Sequence, residues 1–272
     1  MSAKKRLYNY SQRIEALLRE PKLVFIQSLI IFTVLWWILS AVFGFEQSIS
    51  SPELVAFELR EIISGGGWVE HLTASLLRVG YALVFTVVIG TAIGILVGVS
   101  EFWEAALQDY ITIGLAFPSI FAVVFAAMLL GITDLTPTVA SAVIAFPFLA
   151  QNVYEGIKNI DPKLIEMSSS FGVSRYYTIR QVVINSILPQ FFSGVRYSFA
   201  LCWKIVVLSE FVTTTNGLGW VIRSELNAVS LTGVIAWTLL ITGVILIVEY
   251  GIFQQFEKRM FSWRQSSQLK SV

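Results

Sequence analysis

Five stretches of the chain contain no Asp, Glu, Lys or Arg: Leu23–Phe45, Val79–Ser100, Tyr110–Thr133, Leu135–Tyr154 and Leu226–Val248. Each reaches the roughly 20 residues that a helix needs to cross a hydrocarbon core about 30 Å thick. A backbone in lipid must satisfy its own N–H and C=O groups, and continuous apolar runs do so as helices; a barrel would alternate apolar and polar residues. A sixth segment, about Ile187–Val212, is as apolar but is interrupted by Arg196, Lys204 and Glu210. The expectation is an all-α integral membrane protein with six transmembrane helices. Composition agrees: 56% of residues are hydrophobic and 14% charged, against about 45–50% and 25% in soluble domains.

The flanking cations orient the bundle. Lys4, Lys5, Arg6, Arg13, Arg19 and Lys22 precede the first span, Lys158, Lys163, Arg175 and Arg180 lie in one long connection, and Lys258, Arg259, Arg264 and Lys270 follow the last span. All fourteen fall on one side, and only Arg60 and Arg223 fall on the other. The positive-inside rule then puts both termini in the cytoplasm of a multi-pass protein of the plasma (inner) membrane. Residues 1–22 read as a cytoplasmic N-terminal segment, 23–256 as the six-helix domain with a cytoplasmic loop at 155–186, and 257–272 as a cytoplasmic tail. The polar start lacks the short apolar core and small-residue cleavage site of a signal peptide. On the outer side, Ser51-Pro52 opens a short acidic helix over Glu53–Ile63, which Ser64-Gly65-Gly66-Gly67 stops.

Several function classes drop out. With one cysteine, Cys202, and one histidine, His71, no thiolate or histidine metal cluster can form, and no metal site is expected. There is no P-loop, no Gly-x-Ser-x-Gly elbow and no His-Glu-x-x-His, so no catalytic residue is assigned. A net charge of +1 without a basic patch removes nucleic acid as a partner, leaving membrane lipid and other proteins.

The connection from Glu155 to Ser186 is the long one. Asp161-Pro162 starts a helix with proline at its first position, Leu164, Ile165, Met167 and Ser168 give it an apolar face, and Gly172 ends it. A second helix starts at Ser174 and runs toward the fifth span. A short, partly apolar helix on the cytosolic side suits a groove on a partner. Glu166-Met167-Ser168, three residues, Gly172, nine residues and Val182-Val183-Ile184 resemble the EAA signature of ABC importer permeases (Glu-Ala-Ala, three residues, Gly, nine residues, Ile-x-Leu-Pro). Phe146-Pro147, Asn152 to Gly156, Asp161-Pro162, Leu188-Pro189 and Gly194-Val195-Arg196 resemble the nitrate, sulfonate, bicarbonate and taurine branch. So do Ser75 to Val79, Trp203 with Glu210, and Gly217-Leu218-Gly219. The resemblance runs from about Leu72 to the C-terminus. Met167 and Ser168 replace the two alanines and Asn185 the proline, which retains a small or apolar docking face. Lys204 stands where the branch has an uncharged residue.

The resemblance implies a permease of the MetI-like, type I importer fold, itself not an enzyme. Two such permeases, identical or homologous, would form one pathway for a small anion such as nitrate, bicarbonate or a sulfonate. Two cytosolic ATPase subunits, which hold the ATP and Mg, would dock on Asp161, Leu164, Glu166, Met167, Ser168, Phe171, Gly172 and Arg175. A binding protein would deliver substrate from outside. The alternative is a channel or secondary transporter that needs no ATPase and no docking helix.

Charges inside spans are expensive, so they face an interior or a water-filled path. Arg78, Arg196, Lys204 and Glu210 are the expected pathway residues; the competing reading of the same residues is a set of buried ion pairs. Lys204 and Glu210 are about 120° apart on a helix, so their partners are expected elsewhere, Arg78 included. Thr86, Gly90, Gly94 and Gly98 form a small-residue stripe for close helix packing, and Pro118 and Pro147 are expected to kink the third and fourth spans.

Overall fold

The computed structural model describes residues 21–42 and 50–255. The expected cytoplasmic segment (except positions 21 and 22), the end of the first span at 43–45 and the tail at 257–272 lie outside the described residues. Every regular element among those described is helical. In chain order the helices are α1 Pro21–Val42, α2 Pro52–Gly65, α3 Trp68–Val99, α4 Glu101–Ala116, α5 Ser119–Leu130, α6 Leu135–Lys158, α7 Pro162–Ser170, α8 Arg175–Thr178, α9 Ile184–Thr213, α10 Leu218–Asn227 and α11 Leu231–Val248. A π-turn at Ile179–Val183 joins α8 to α9, so that Arg175–Thr213 is one helix of 39 residues.

Helix α6 is the axis of the bundle. Ala142 and Ala145 pack with Val79 and Ala82 of α3 and with Cys202, Trp203 and Val206 of α9. Ala140 and Ile144 meet Ala122, Val123 and Ala126 of α5, and Ala150 meets Val97 of α3 and Ile111 of α4. The glycine stripe explains the approach of α3. A Cβ on Gly90 would stand 2.9 Å from the Phe146 carbonyl, one on Gly94 2.7 Å from the Ala150 carbonyl, and one on Gly98 2.6 Å from Ile157 Cδ1. The expected close packing is therefore internal, α3 on α6, backbone against backbone. Helix α1 lies outside this core with nearly all its apolar side chains exposed. It is tied in by Trp36, whose Nε1 donates to the Ser50 carbonyl.

The structure departs from expectation at the third span. Phe117 and Pro118 are extended, and α4 and α5 diverge by 99°. Proline disfavours helical geometry in the residue before it and donates no hydrogen bond of its own, so Tyr110–Thr133 is broken rather than kinked. Pro147, in contrast, is buried within an unbroken α6, and a Cβ on Gly114 of α4 would come 2.8 Å from its ring. Packing on several sides holds that helix together through its proline.

Among the described residues four helices are long and apolar enough to cross a membrane, and the bent α4–α5 pair would make a fifth; the sequence suggested six. The remaining segment, α6, is 24 residues, about 36 Å at 1.5 Å per residue. It is less apolar because Thr136, Thr138 and Ser141 face protein, where Thr136 donates to the Gly131 carbonyl before the helix and Thr138 and Ser141 donate to carbonyls four residues back, of Asp134 and Pro137. Helix also runs into both ends of the expected cytoplasmic loop, leaving 159–174 as the connection. Helix α2 forms where Ser51-Pro52 predicts it: Ser51 Oγ accepts from Leu54 N, and Gly66 turns the chain left-handed at φ 74.

Because Gly94 meets backbone and Gly80 meets open space on the same helix, two alanine substitutions should diverge. Gly94→Ala should destabilise the detergent-solubilised protein by about 1–3 kcal/mol through overpacking. Gly80→Ala should be neutral or stabilising by up to about 1 kcal/mol. Thermal unfolding measures both.

Candidate functional site

At the end of the bundle opposite α7, the N-terminus of α6, the C-terminus of α9 and the N-terminal part of α3 meet. Ser75 and Arg78 are three apart on α3 and share a face, which points at Glu210 near the end of α9. Glu210 is wholly buried. Its oxygens accept from Ser75 Oγ at 2.8 Å, from Arg78 Nη1 at 2.6 Å and from Gly219 N at 3.1 Å. Leu218 N donates to Ser75 Oγ at 2.9 Å. The first N–H groups of α10 are thus capped by side chains from α3 and α9, with a carboxylate at the positive end of the helix dipole. Gly217 makes this possible: its φ is 99, and a Cβ there would lie 2.5 Å from the Glu210 carboxylate. Gly217 N also donates to His71 Nδ1, whose ring rests against Trp220, so the single histidine braces the turn before α10.

Arg78 is 4% exposed. Its Nη1 also reaches the Asn216 carbonyl, and its Nη2 donates to the carboxylate of Asp134 and to Asn216 Oδ1. Asp134 itself is 81% exposed. A cleft of about 430 Å³ opens beside this group, lined by Arg78, Asp134, Asn216 and Thr138 with Tyr81 and Phe85 of α3.

The other expected pathway residues lie apart. Arg196 donates from Nε and Nη2 to Glu249 Oε1, which ties α9 to the turn after α11. Lys204 is on the exposed face of α9 and makes no hydrogen bond or ion pair among the described residues. Seven residues separate it from exposed Tyr197, which places the two about 20° apart on the helix. Of the four charges expected to line one path, the structure brings Arg78 and Glu210 together as a buried pair, leaves Arg196 about 21 Å away along α9 on Glu249, and puts Lys204 on another face. Sequence reasoning did not select Asp134 or Asn216. The signal for Asp134 was present, as the lone charge between two apolar runs.

At the opposite end, Asp161 Oδ1 accepts from Lys163 N and Pro162 begins α7. Gly172 (φ 67) closes it, with Val173 N donating to the Ser168 carbonyl in the manner of a Schellman turn. Ser168 turns inward and its hydroxyl bonds with Thr178 Oγ1, which pins α7 to the start of the long helix. Leu164, Met167 and, at 79%, Phe171 are left exposed. The candidate docking residues are thus divided, with Ser168 facing in and Phe171 out.

Residues 90–262 match the model of the family described as binding-protein-dependent transport system inner membrane component. The chain belongs to that family. It is 24% identical over 248 residues, 88% of each chain, to the taurine transport system permease protein TauC of Escherichia coli (strain K12). It is 23% identical over 216 residues, 79% of this chain and 78% of the relative, to a putative aliphatic sulfonates transport permease protein of Bacillus subtilis (strain 168). Among solved structures, an inward-facing MetNI methionine ABC transporter matches with a TM-score of 0.56 at 20% identity, covering 69% of this chain and 95% of its own. The fold is that of the MetI-like permeases, and the chain is an ABC importer permease with a membrane-spanning helical bundle.

Removing one partner of a buried ion pair costs about 3–5 kcal/mol, and without the Glu210 charge the buried Arg78 has only the exposed Asp134 as counter-ion. Glu210→Gln should therefore destabilise the protein by about 3 kcal/mol or more. Asp134→Asn, at an exposed position, should change stability by less than about 1 kcal/mol. Thermal or denaturant unfolding of the two variants in detergent separates the structural pair from the exposed acid.

Proposed function

We propose that this permease forms, with a second copy or a homologue, the pathway of an ATP-driven importer for a small sulfonate-type or related anionic substrate. Two cytosolic ATPase subunits bind and hydrolyse ATP with Mg, a binding protein delivers substrate on the far side, and both termini face the cytoplasm. The observation that carries this reading is α7. It is a nine-residue helix capped at both ends and held away from the core, with Met167 and Phe171 exposed. Apolar side chains held in water by a rigid, capped turn are what a partner groove takes, and a channel or secondary transporter has no need of them. The sulfonate class is supported by the substrates named for the taurine and aliphatic sulfonate relatives.

In this reading Met167 and Phe171 insert into the ATPase, and Leu164, Glu166 and Arg175 border the contact. Asp161 and Gly172 set the helix ends, and Ser168 links α7 through Thr178 to the helix that reaches Glu210. Closure of the ATPases on ATP would push α7 and the 39-residue helix with it, opening the pathway outward, and hydrolysis would reset it.

The test is co-purification from native membranes with an ATPase assay on the eluate. Phe171→Asp, fully folded by thermal melt, should lower the associated ATPase at least tenfold. Phe171 suits the test better than Gly172, whose left-handed backbone would confound any substitution with strain. A wild-type chain that purifies alone and shows no ATPase would favour the channel or secondary transporter.

A further inference from the structure

Helix α9 has two kinds of surface. Its buried faces pack against α3, α5 and α6, and its open face carries Ser186, Gln190, Ser193, Tyr197 and Lys204. At 100° per residue, Ser186, Ser193 and Tyr197 lie within about 20° of Lys204, and Gln190 within about 40°. Gln190 is half-buried and the other four are exposed. None of the five side chains makes a hydrogen bond or ion pair with another described residue; Tyr197 only rests its ring on Phe148 of α6, centroids 5.5 Å apart. The stripe extends about 27 Å along the helix. Beyond Lys204, toward Glu210, the same stripe turns apolar with half-buried Leu208 and Phe211. Helix α3 shows the contrast: its exposed positions from Val84 to Val99, among them Val88 and Ile95, are all apolar. Hydroxyls, an amide and an ammonium turned toward hydrocarbon would lose water without replacement. Lys204 stands about 12 Å along the helix from Val212, the end of the apolar segment, and a charge at such depth faces an interior or water. Water running along the stripe satisfies all five groups at once.

We infer that this stripe of α9 is a wall of the aqueous path, open at the α7 end and closed by Leu208 and Phe211, and that Lys204 at its closed end admits anions and turns back cations. This rests on the importer reading above and adds to it the wall and the residue that sets charge selectivity. The stripe carries no carboxylate, so the field of Lys204 acts along it without compensation.

The experiment uses the permease with its ATPase in lipid nanodiscs without nucleotide. Cys202 is the single native thiol and is buried, so an introduced cysteine reports alone. Ser193→Cys, Tyr197→Cys and, as a lipid-facing reference, Ile31→Cys on α1, 59% exposed, are treated with two methanethiosulfonates, one ending in a sulfonate and one in a trimethylammonium. Rates are taken relative to those of a small thiol in solution. Ser193→Cys and Tyr197→Cys should react with the anionic reagent at least tenfold faster than Ile31→Cys. Tyr197→Cys should favour the anionic reagent over the cationic one at least threefold; adding Lys204→Met should erase that preference, and adding Lys204→Arg should keep it. Stripe cysteines as slow as Ile31→Cys, shielded by lipid or by a second permease, would overturn the inference. So would equal rates with the two reagents, or a preference that survives Lys204→Met. ATPase co-purification, followed in the same preparations, keeps the two failures apart. Bound ATPase with unreactive or unselective stripe cysteines sinks the path wall alone, whereas a wild-type permease without ATPase removes the importer reading beneath it.

Discussion

A guanidinium and a carboxylate taken out of water must be paired, because either one alone is far less stable in a protein interior than in solvent. In this protein that pair is Arg78 with Glu210, and much of the end of the bundle opposite α7 is arranged by it. It joins α3 to α9, and through Glu210 and Ser75 it caps the first N–H groups of α10. The sharp backbone at Gly217 and the position of Asn216 follow, since the loop has to pass within reach of both charges. The cleft beside Asp134 is what remains exposed of a group whose other half is fixed in the core.

The opposite end works by different means. No buried charge organises α7; its shape comes from local caps at Asp161 and Gly172 and from one hydroxyl contact between Ser168 and Thr178. Helix Arg175–Thr213 connects the two ends without interruption, about 58 Å of backbone at 1.5 Å per residue. The exposed apolar residues on α7 and the buried carboxylate Glu210 therefore lie near opposite ends of one rod. The glycine stripe of α3 against α6 keeps the middle of the bundle close-packed.

Reading the chain alone recovers what is governed by local or periodic chemistry. The apolar runs mark where helices sit in lipid, Ser51-Pro52 and Asp161-Pro162 start helices, and Gly66 and Gly172 end them with left-handed backbone. The stripe Gly90, Gly94, Gly98 announces a close helix contact. The choice of Arg78 as a partner for Glu210 was also within reach, since two opposite charges in apolar sequence have few other places to go. The fate of Arg196 was not, because Glu249 lies just past the last charge-free run and 53 residues away.

Local sequence thus determined the helical membrane class, the capped helix α7 and the presence of charges that had to be neutralised. Its proline at 118 did not say whether the chain would kink or break, and tertiary packing decided it: Pro147 is held inside α6 by neighbours, while Pro118 turns the chain through 99°. Tertiary structure also decided which face each charge occupies, turning Arg78 and Glu210 into a buried pair and leaving Lys204 exposed. It brought Asp134 and Asn216, distant in sequence, onto one guanidinium. The physical reason is that caps and hydrophobic runs depend on neighbours within a few residues, whereas ion-pair choice and proline tolerance depend on which helices lie alongside.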